Sequence, residues 1–218
     1  MKLNVKICCI QTLEEARLAI KYGASAIGLV SEMPSGPGVI PENLITEIAA
    51  NVPHEIQTFI LTSKISAEEI IAQLINCKTS TVQLVDSVDF KVYRSLKEEL
   101  PQISIVQVIH VTGEESIKEA IQVEKFVDAV LLDSGNQNKE VKELGGTGRT
   151  HNWEISKQIV KGLKIPVYLA GGLNAENVKE AVEFVKPYGV DLCSGVRTNN
   201  KLDEDKFKKF FNVLKNLD

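Results

Sequence analysis

Between residues 166 and 195 the chain reads PVYLAGGLNAENVKEAVEFVKPYGVDLCSG. Its ends are two short apolar runs, Pro166–Ala170 and Val190–Cys193. Between them, apolar side chains recur at i, i+3, i+4 and i+7: Val178, Ala181, Val182 and Val185. That spacing predicts one apolar stripe on a helix, which Asn174 could cap. Continuous apolar runs are typical of parallel strands buried on both faces, so the stretch predicts a strand, a helix and a second parallel strand.

The same unit recurs along the whole chain. Apolar runs that predict strands alternate with amphipathic segments, and there are eight such runs: Val5–Cys9, Ala26–Ser31, Ile56–Leu61, Thr81–Val85, Ile103–Ile109, Ala129–Asp133, Pro166–Ala170 and Val190–Cys193. Eight units in 218 residues favour an α/β fold, a parallel eight-stranded (β/α)₈ TIM barrel in a single domain over residues 1–218. An open doubly wound sheet is the alternative, but no GxGxxG motif follows the first run.

Composition narrows the classes of function. A net charge of -4 argues against a nucleic-acid partner, which would require a basic excess. None of the four cysteines lies in a CxxC pair, so no metal site is predicted and reduced thiols are the simplest interpretation. The first residues lack the apolar core of a signal peptide, and no apolar run approaches the roughly 20 residues that span a bilayer. We therefore expect a cytoplasmic protein with a small-molecule ligand and no membrane partner.

Glycine-rich loops follow the last three predicted strands. In barrels the active site lies at the C-terminal ends of the strands, and the loops after strands seven and eight often bind phosphate. Glycines let backbone amides approach an anion closely, although a single glycine pair usually only makes a tight turn. Three such loops on one rim predict a phosphate site that includes Gly146, Thr147, Gly148, Gly171, Gly172, Ser194 and Gly195.

Cys8 and Asp133 are the candidate acid–base pair. They end the first and sixth predicted strands, on facing sides of the barrel mouth. A thiolate can remove a proton from carbon if nearby cations or dipoles lower its pKa, and a partly desolvated carboxyl group can donate one. Taken alone, Cys8 could be a small core residue and Asp133 a turn residue. Strand periodicity further predicts that Cys8 and Cys9 point to opposite faces.

These motifs resemble those of the phosphoribosylanthranilate isomerase family. The resemblance runs in order along nearly the whole chain, and it rests on Val5–Ile10, Ala26–Val30, Val82–Leu84, Leu131–Ser134, Gly145–Thr150 with Trp153, Leu169–Asn174 with Asn177, Val190–Asp191 and Ser194–Val196. It implies a cofactor-free Amadori rearrangement in tryptophan biosynthesis, from N-(5-phosphoribosyl)anthranilate to 1-(2-carboxyphenylamino)-1-deoxyribulose 5-phosphate. It also implies that Asp133 is the general acid that opens the ribose ring and that Cys8 is the general base that removes the C2′ proton.

The chain departs from the family pattern at four places. The family has an arginine after strand two that holds the anthranilate carboxylate, whereas the stretch Ser35–Val39 has none. Cys8-Cys9 stands where Cys-Gly is usual, Val85-Asp86 where His-Gly is usual, and Arg197 where a glutamate is common. The lost arginine removes a charge-assisted pair with the substrate carboxylate.

Arg197 is the first candidate to replace that cation. We expect it to contact the aglycone together with His110, while Arg149 and His151 are further candidates on the same rim. The alternative is an exposed Arg197 paired with Asp203 or Glu204.

Three functions remain open from the sequence. The first is the isomerase with a rearranged carboxylate site, and the second is a paralogue that isomerises another phosphoribosyl amine or sugar phosphate. The third is a non-catalytic barrel that binds a phosphorylated ligand, against which the presence of both Cys8 and Asp133 counts. A monomer or a homodimer is expected.

Overall fold

The computed structural model describes residues 3–135, 148 and 150–215. Within these residues the strands of the barrel are β1 Asn4–Ile7, β2 Ala26–Val30, β3 Gln57–Thr62, β4 Thr81–Leu84, β5 Ser104–His110, β6 Ala129–Asp133, β7 Val167–Leu169 and β8 Gly189–Leu192. The helices are α1 Leu13–Tyr22, α2 Glu42–Ala50, α3 Ala67–Cys77, α4 Phe90–Glu99, α5 Glu115–Val123, α6 Trp153–Gly162, α7 Val178–Val185 and α8 Glu204–Leu214. A 3₁₀ turn, Ser194–Val196, and a small antiparallel pair, β9 Arg197–Thr198 and β10 Lys201–Leu202, join β8 to α8.

The strands form a closed barrel in chain order. Each pairs in parallel with the next, and β8 closes onto β1 with Lys6 opposite Asp191. The predicted (β/α)₈ barrel is therefore confirmed, and the open sheet is wrong. Predicted and observed strand limits agree within two residues because both faces of each strand are buried and the apolar runs mark the strands directly.

The end of β1 is the main local correction. The strand stops at Ile7, and Cys9 lies beyond it with φ 61°, in the left-handed region. The period of two therefore does not extend to this residue. Cys8 and Cys9 line the same pocket, so the prediction that they point to opposite faces is wrong.

Polar side chains close the starts of several helices. The Thr12 and Ser66 hydroxyls accept hydrogen bonds from the amides of Glu15 and Glu69 and so cap α1 and α3. Asn174 does not cap α7 directly. Its side chain accepts from the amides of Glu176 and Asn177, so it closes the turn that precedes the helix.

Apolar clusters pack against both faces of the strands, one outside the barrel and one inside it. The larger lies between the barrel and its helices, and α8 contributes the buried Phe207, Phe210 and Phe211 at the predicted spacing. The smaller fills the barrel interior and includes Cys8, Cys9 and the edge-to-face pair Phe59–Tyr168. Fully burying one large apolar side chain contributes about 1.5–3 kcal/mol, so the barrel is a packed core that holds the strand ends in place. None of the described helices is both long and apolar enough to cross a bilayer.

Candidate active site

A pocket opens at the C-terminal ends of the strands, where the active sites of barrel enzymes lie. Six of its lining residues follow or end β1, β6, β7 and β8: Cys8, Asp133, Gly171, Gly172, Asp191 and Ser194. The barrel closure thus brings together side chains from both ends of the sequence.

The structure places most of the predicted site residues in this pocket. Those that line it are Cys8, Asp133, Gly148, Gly171, Gly172 and Ser194. Gly195 and Arg197 lie beside it and are not part of its lining. Gly146, Thr147 and Arg149 fall outside the described residues.

The glycines of the rim bring the loops close to one another. Gly171 and Gly172 have φ 79° and 64°, which side chains rarely adopt. A Cβ on Gly171 would lie 3.1 Å from the Ser134 hydroxyl oxygen, so this loop packs directly beside the end of β6. A Cβ on Gly148 would lie 3.5 Å from the Ser194 hydroxyl oxygen, so residues after β6 and β8 meet at the pocket.

Gly195 has a packing role that the sequence did not reveal. A Cβ at this position would lie 1.9 Å from the Leu173 carbonyl oxygen, far inside contact distance. Its lack of a side chain lets the turn after β8 lie against the loop after β7. The position therefore fixes the relative placement of two loops.

A buried ion pair lies beside the pocket. Lys6 Nζ is 2.9 Å from Asp191 Oδ2, and the lysine side chain is fully buried. Burial alone would lower the pKa of Lys6, but the Asp191 carboxylate and the Cys8 thiol hold that pKa above its ordinary value. Lys6 is therefore a permanent cation inside the barrel.

Gly28 makes room for this cation and for the candidate base. A Cβ on Gly28 would lie 2.9 Å from Cys8 Sγ and 3.0 Å from Lys6 Nζ. Sequence reasoning missed Lys6 and Asp191 as site residues. The signal that could have revealed them is a lone charged residue in each of two otherwise apolar predicted strands. In a closed barrel these two strands, the first and the last, are neighbours, so their charges can pair.

The surroundings of Cys8 favour its thiolate. A side-chain hydrogen bond from Cys9 and the nearby Lys6 ammonium hold the pKa of the Cys8 thiol below its ordinary value, although burial opposes them. A thiol with a neighbouring donor and cation is the environment of reactive cysteines. Cys8 can thus serve as a base near neutral pH.

Asp133 ends β6 at the pocket wall. Its Oδ1 accepts a hydrogen bond from the Ser134 amide at 2.7 Å, which fixes the orientation of the carboxyl group. Burial lowers the pKa of the nearby His151 to about 4, although the negative charge of Asp133 tends to raise that pKa. The imidazole of His151 is therefore neutral near pH 7, and it does not supply a cation.

His110 is also engaged within the protein. Its Nε2 lies 3.0 Å from the Val85 carbonyl oxygen, and since a carbonyl only accepts, Nε2 carries the proton. The residue is buried and does not line the pocket.

Arg197 is bound to protein groups on the side of the pocket near α1. Its guanidinium donates to both Glu15 carboxylate oxygens, at 2.9 and 3.0 Å, and to the carbonyls of Cys9 and Asn200. Neither predicted surface partner is used: Asp203 caps α8, and Glu204 accepts from Tyr22. The alternative of an exposed surface pair is therefore wrong. Both terminal guanidinium nitrogens are bound in this way, while Nε has no partner among the described residues, so we infer that Arg197 positions the Cys8–Cys9 turn; its contact with the aglycone stays a prediction.

Replacing Arg197 by Ala should lower the free energy of unfolding by about 2 kcal/mol, because it removes charge-assisted hydrogen bonds to Glu15 and the donor to the Cys9 carbonyl, while Glu15 keeps the Gln11 and Leu202 amides. Urea denaturation measures the change. Lys208→Ala, which removes an exposed i, i+3 pair with Asp205, is the control and should change stability by less than about 0.5 kcal/mol. Equal stability of the two variants would show that Arg197 does not hold the turn.

No group of three or more His, Cys, Asp or Glu side chains in the described part of the chain has the arrangement of a metal site. The pocket instead combines a thiol of lowered pKa, a carboxyl group and glycine-rich loops at the C-terminal end of a closed barrel. These are features of the (β/α)₈-barrel enzymes, whose active sites lie at this end.

Comparison with known proteins narrows this class to one family. Residues 5–213 match the family model described as N-(5'phosphoribosyl)anthranilate (PRA) isomerase. The chain belongs to this isomerase family.

Individual relatives agree with the family match. The chain is 36% identical over 216 residues to N-(5'-phosphoribosyl)anthranilate isomerase 2 of Methanosarcina mazei, covering 98% of this chain and 95% of the relative. It is similar to the crystal structure of phosphoribosyl anthranilate isomerase from Thermotoga maritima, with 28% identity, a TM-score of 0.84 and coverage of 99% and 100%. A second similar structure is phosphoribosyl anthranilate isomerase in complex with reduced 1-(o-carboxyphenylamino)-1-deoxyribulose 5-phosphate, with 26% identity, a TM-score of 0.82 and coverage of 99% and 100%.

Proposed function

We propose that this chain isomerises N-(5'-phosphoribosyl)anthranilate to 1-(2-carboxyphenylamino)-1-deoxyribulose 5-phosphate, a step of tryptophan biosynthesis. The observation that carries the proposal is one pocket that joins Cys8, Asp133 and the glycine-rich rim in a chain of this family. The solved relative that holds a reduced form of the product supports the same ligand class.

The proposed reaction uses one acid and one base. Asp133 donates a proton to the ribose ring oxygen, the ring opens, and the nitrogen lone pair forms a Schiff base. Cys8 thiolate then removes the C2′ proton, and the resulting enolamine tautomerises to the ketone. The lowered pKa of Cys8 supports this role because the basic form must be present near neutral pH. The steps open the ring and transfer protons within one molecule, with no external oxidant or reductant, so the proposal requires no cofactor.

The proposed phosphate site lies between Gly148, the Gly171–Gly172 loop and Ser194. The left-handed glycines leave backbone amides accessible without a Cβ in the way. Gly195 stays a predicted contact through its backbone amide, and the Leu173 carbonyl is a separate reason for its missing side chain.

Replacing Ser194 by Asp should weaken phosphate binding at least about tenfold, because an unpaired like charge at the anion site costs on the order of several kcal/mol. Isothermal titration with inorganic phosphate measures the effect. Ser194→Ala is the matched control, since it removes the hydroxyl without adding charge. Equal affinity of the Asp and Ala variants would place the phosphate elsewhere.

The aglycone end of the pocket favours a second candidate function, the isomerisation of a different phosphoribosyl amine. It is lined by Met33, Ser35, Gly36 and Pro37, and no lysine, arginine or histidine belongs to the pocket lining among the residues that the structure describes. A buried carboxylate requires a partner. Arg149, outside the described residues, is the remaining cation from the sequence analysis; without it, a phosphoribosyl amine with an uncharged aglycone suits this lining better.

A fluorescence assay of phosphoribosylanthranilate consumption by the purified chain tests the proposal. The matched substrate is N-(5'-phosphoribosyl)aniline, which lacks only the carboxylate. A higher kcat/KM for the anthranilate compound supports the first function, and a higher value for the aniline compound supports the second. If neither is consumed, both isomerase proposals fail.

We further propose that the chain forms a single domain over residues 1–218, that it lies in the cytoplasm and that it is a monomer or a homodimer. The four cysteines are free thiols, which agrees with a reducing compartment.

A further inference from the structure

We propose that Cys9 and Cys193 form a reversible disulfide at the mouth of the barrel, and that this pair is an oxidation site that lowers the activity of the neighbouring Cys8. Cys9 lies after β1 and Cys193 after β8, on strands that are directly paired. Their Sγ atoms lie 2.7 Å apart, and the Cys193 thiol is oriented to donate to Cys9 Sγ. Two sulfurs this close need to move by less than about 1 Å to reach the 2.03–2.05 Å of a disulfide.

The backbone at Cys9 is held in an unusual conformation that produces this contact. A residue with a side chain is strained at φ 61°, and such strain tends to occur at functional sites. Arg197 donates to the Cys9 carbonyl and fixes the turn. Gly38 leaves room for it, since a Cβ there would lie 2.5 Å from the Cys9 Cβ.

The two thiols differ in access. Cys193 is only half-buried and lines the pocket, so a small oxidant in the pocket can reach it. Cys9 lines the same pocket but is buried. Cys77 offers a comparison within the same chain, because it is buried on α3 and its Sγ faces the Glu42 carbonyl.

The oxidant that we propose is a peroxide. Cys193 sulfur attacks one peroxide oxygen, the O–O bond breaks, and the departing hydroxide takes up the thiol proton, leaving a sulfenic acid and water. Cys9 sulfur then attacks the Cys193 sulfur, the S–O bond breaks, and hydroxide leaves with the Cys9 proton as a second water. Two thiols and one hydrogen peroxide thus give one disulfide and two waters. An added dithiol reverses the change by exchange.

The consequence for Cys8 follows from the hydrogen bond that it loses. Cys9 follows Cys8 directly and lines the same pocket, and in the reduced protein a side-chain hydrogen bond from Cys9 holds the pKa of Cys8 down. A disulfide at Cys9 has no S–H to donate, so the pKa of Cys8 rises and less thiolate is present at neutral pH. Each unit of rise lowers the thiolate fraction about tenfold below that pKa. This consequence for turnover rests on the proposed function, whereas the disulfide itself does not.

The test begins with the full chain, reduced and then treated with hydrogen peroxide. Peptide mapping without reductant should show a Cys9–Cys193 cross-link that dithiothreitol removes. Cys8→Ser and Cys77→Ser should retain the link, while Cys9→Gly and Cys193→Ser should lose it. A stable sulfinic acid on Cys8, a Cys8–Cys9 link, or no link at all would overturn the proposal.

A second readout separates this proposal from the function proposed above. The rate of Cys8 alkylation by iodoacetamide, measured against pH, reports its pKa without any turnover. Oxidation should move that profile to higher pH in the otherwise unchanged protein and in Cys77→Ser. A profile that does not move while the link forms would overturn the effect on Cys8. If no substrate is consumed but the link forms and the profile moves, only the isomerase proposal has failed.

Discussion

Cys8→Ala and Asp133→Asn should each lower kcat/KM by about 10²–10⁴-fold, because each removes a positioned base or acid from the pocket. Both substitutions are small and should leave the barrel folded. Steady-state kinetics on the active substrate measure the loss, and circular dichroism checks the fold. Near wild-type rates in both variants would remove these residues from the mechanism.

The direction in which kcat/KM changes with pH also tests the role of Cys8. Cys8 acts as a base only when it is deprotonated, so kcat/KM should rise with pH through its pKa. Since Cys9 and Lys6 lower that pKa, the rise should be complete at a lower pH than for an ordinary thiol. Cys9→Gly, which removes the hydrogen bond, should move the rise to higher pH.

Lys6→Met should lower the free energy of unfolding by about 3–5 kcal/mol, because it leaves the Asp191 carboxylate buried without its cation. The double variant Lys6→Met/Asp191→Leu should regain most of that loss, since no uncompensated charge remains. Lys97→Met is the control, because its pair with Asp128 is substantially exposed and should contribute no more than about 1 kcal/mol.

The stability that Lys6→Met loses should depend on pH. Burial already raises the pKa of Asp191, and without Lys6 the opposing charge is gone. A carboxyl group whose folded pKa exceeds its unfolded value stabilises the fold when protonated, and this contribution is lost as pH rises through the folded pKa. The destabilisation should therefore shrink toward acid pH in denaturation curves. A loss that does not change with pH would show that Asp191 is not the cause.

The barrel was predictable because its strands are buried on both faces. Continuous apolar runs such as Ala129–Asp133 therefore marked the strands, and only their ends shifted. The Cys8–Cys9 turn was not predictable from periodicity, since a cysteine with positive φ has no signature in the sequence. Its conformation depends on Arg197 and Gly38, which approach from other parts of the chain.

The sequence predicted the site residues that lie at strand ends. It did not predict contacts between residues that are far apart in the chain. Cys8, Asp133 and the glycine loops could be placed because barrels carry their sites on one rim. The partner of Arg197 could not, since Glu15 is 182 positions away and exposed acids nearer in sequence looked equally suitable. The role of Gly195 needed the position of the Leu173 carbonyl, which only the folded loops define.

The seam between β1 and β8 has a consequence for the order in which the protein is made. The contacts Lys6–Asp191, Arg197–Glu15 and Cys193–Cys9 each join positions more than 180 residues apart. Such distant contacts form late, because closing a long loop costs chain entropy before any contact compensates. On the ribosome, the first strand therefore emerges long before its partners exist. A nascent chain that stops short of residue 191 would carry both proposed catalytic side chains on an open sheet that lacks the β8 wall of the pocket, so we expect the complete acid–base site to appear only when the last strand closes the ring.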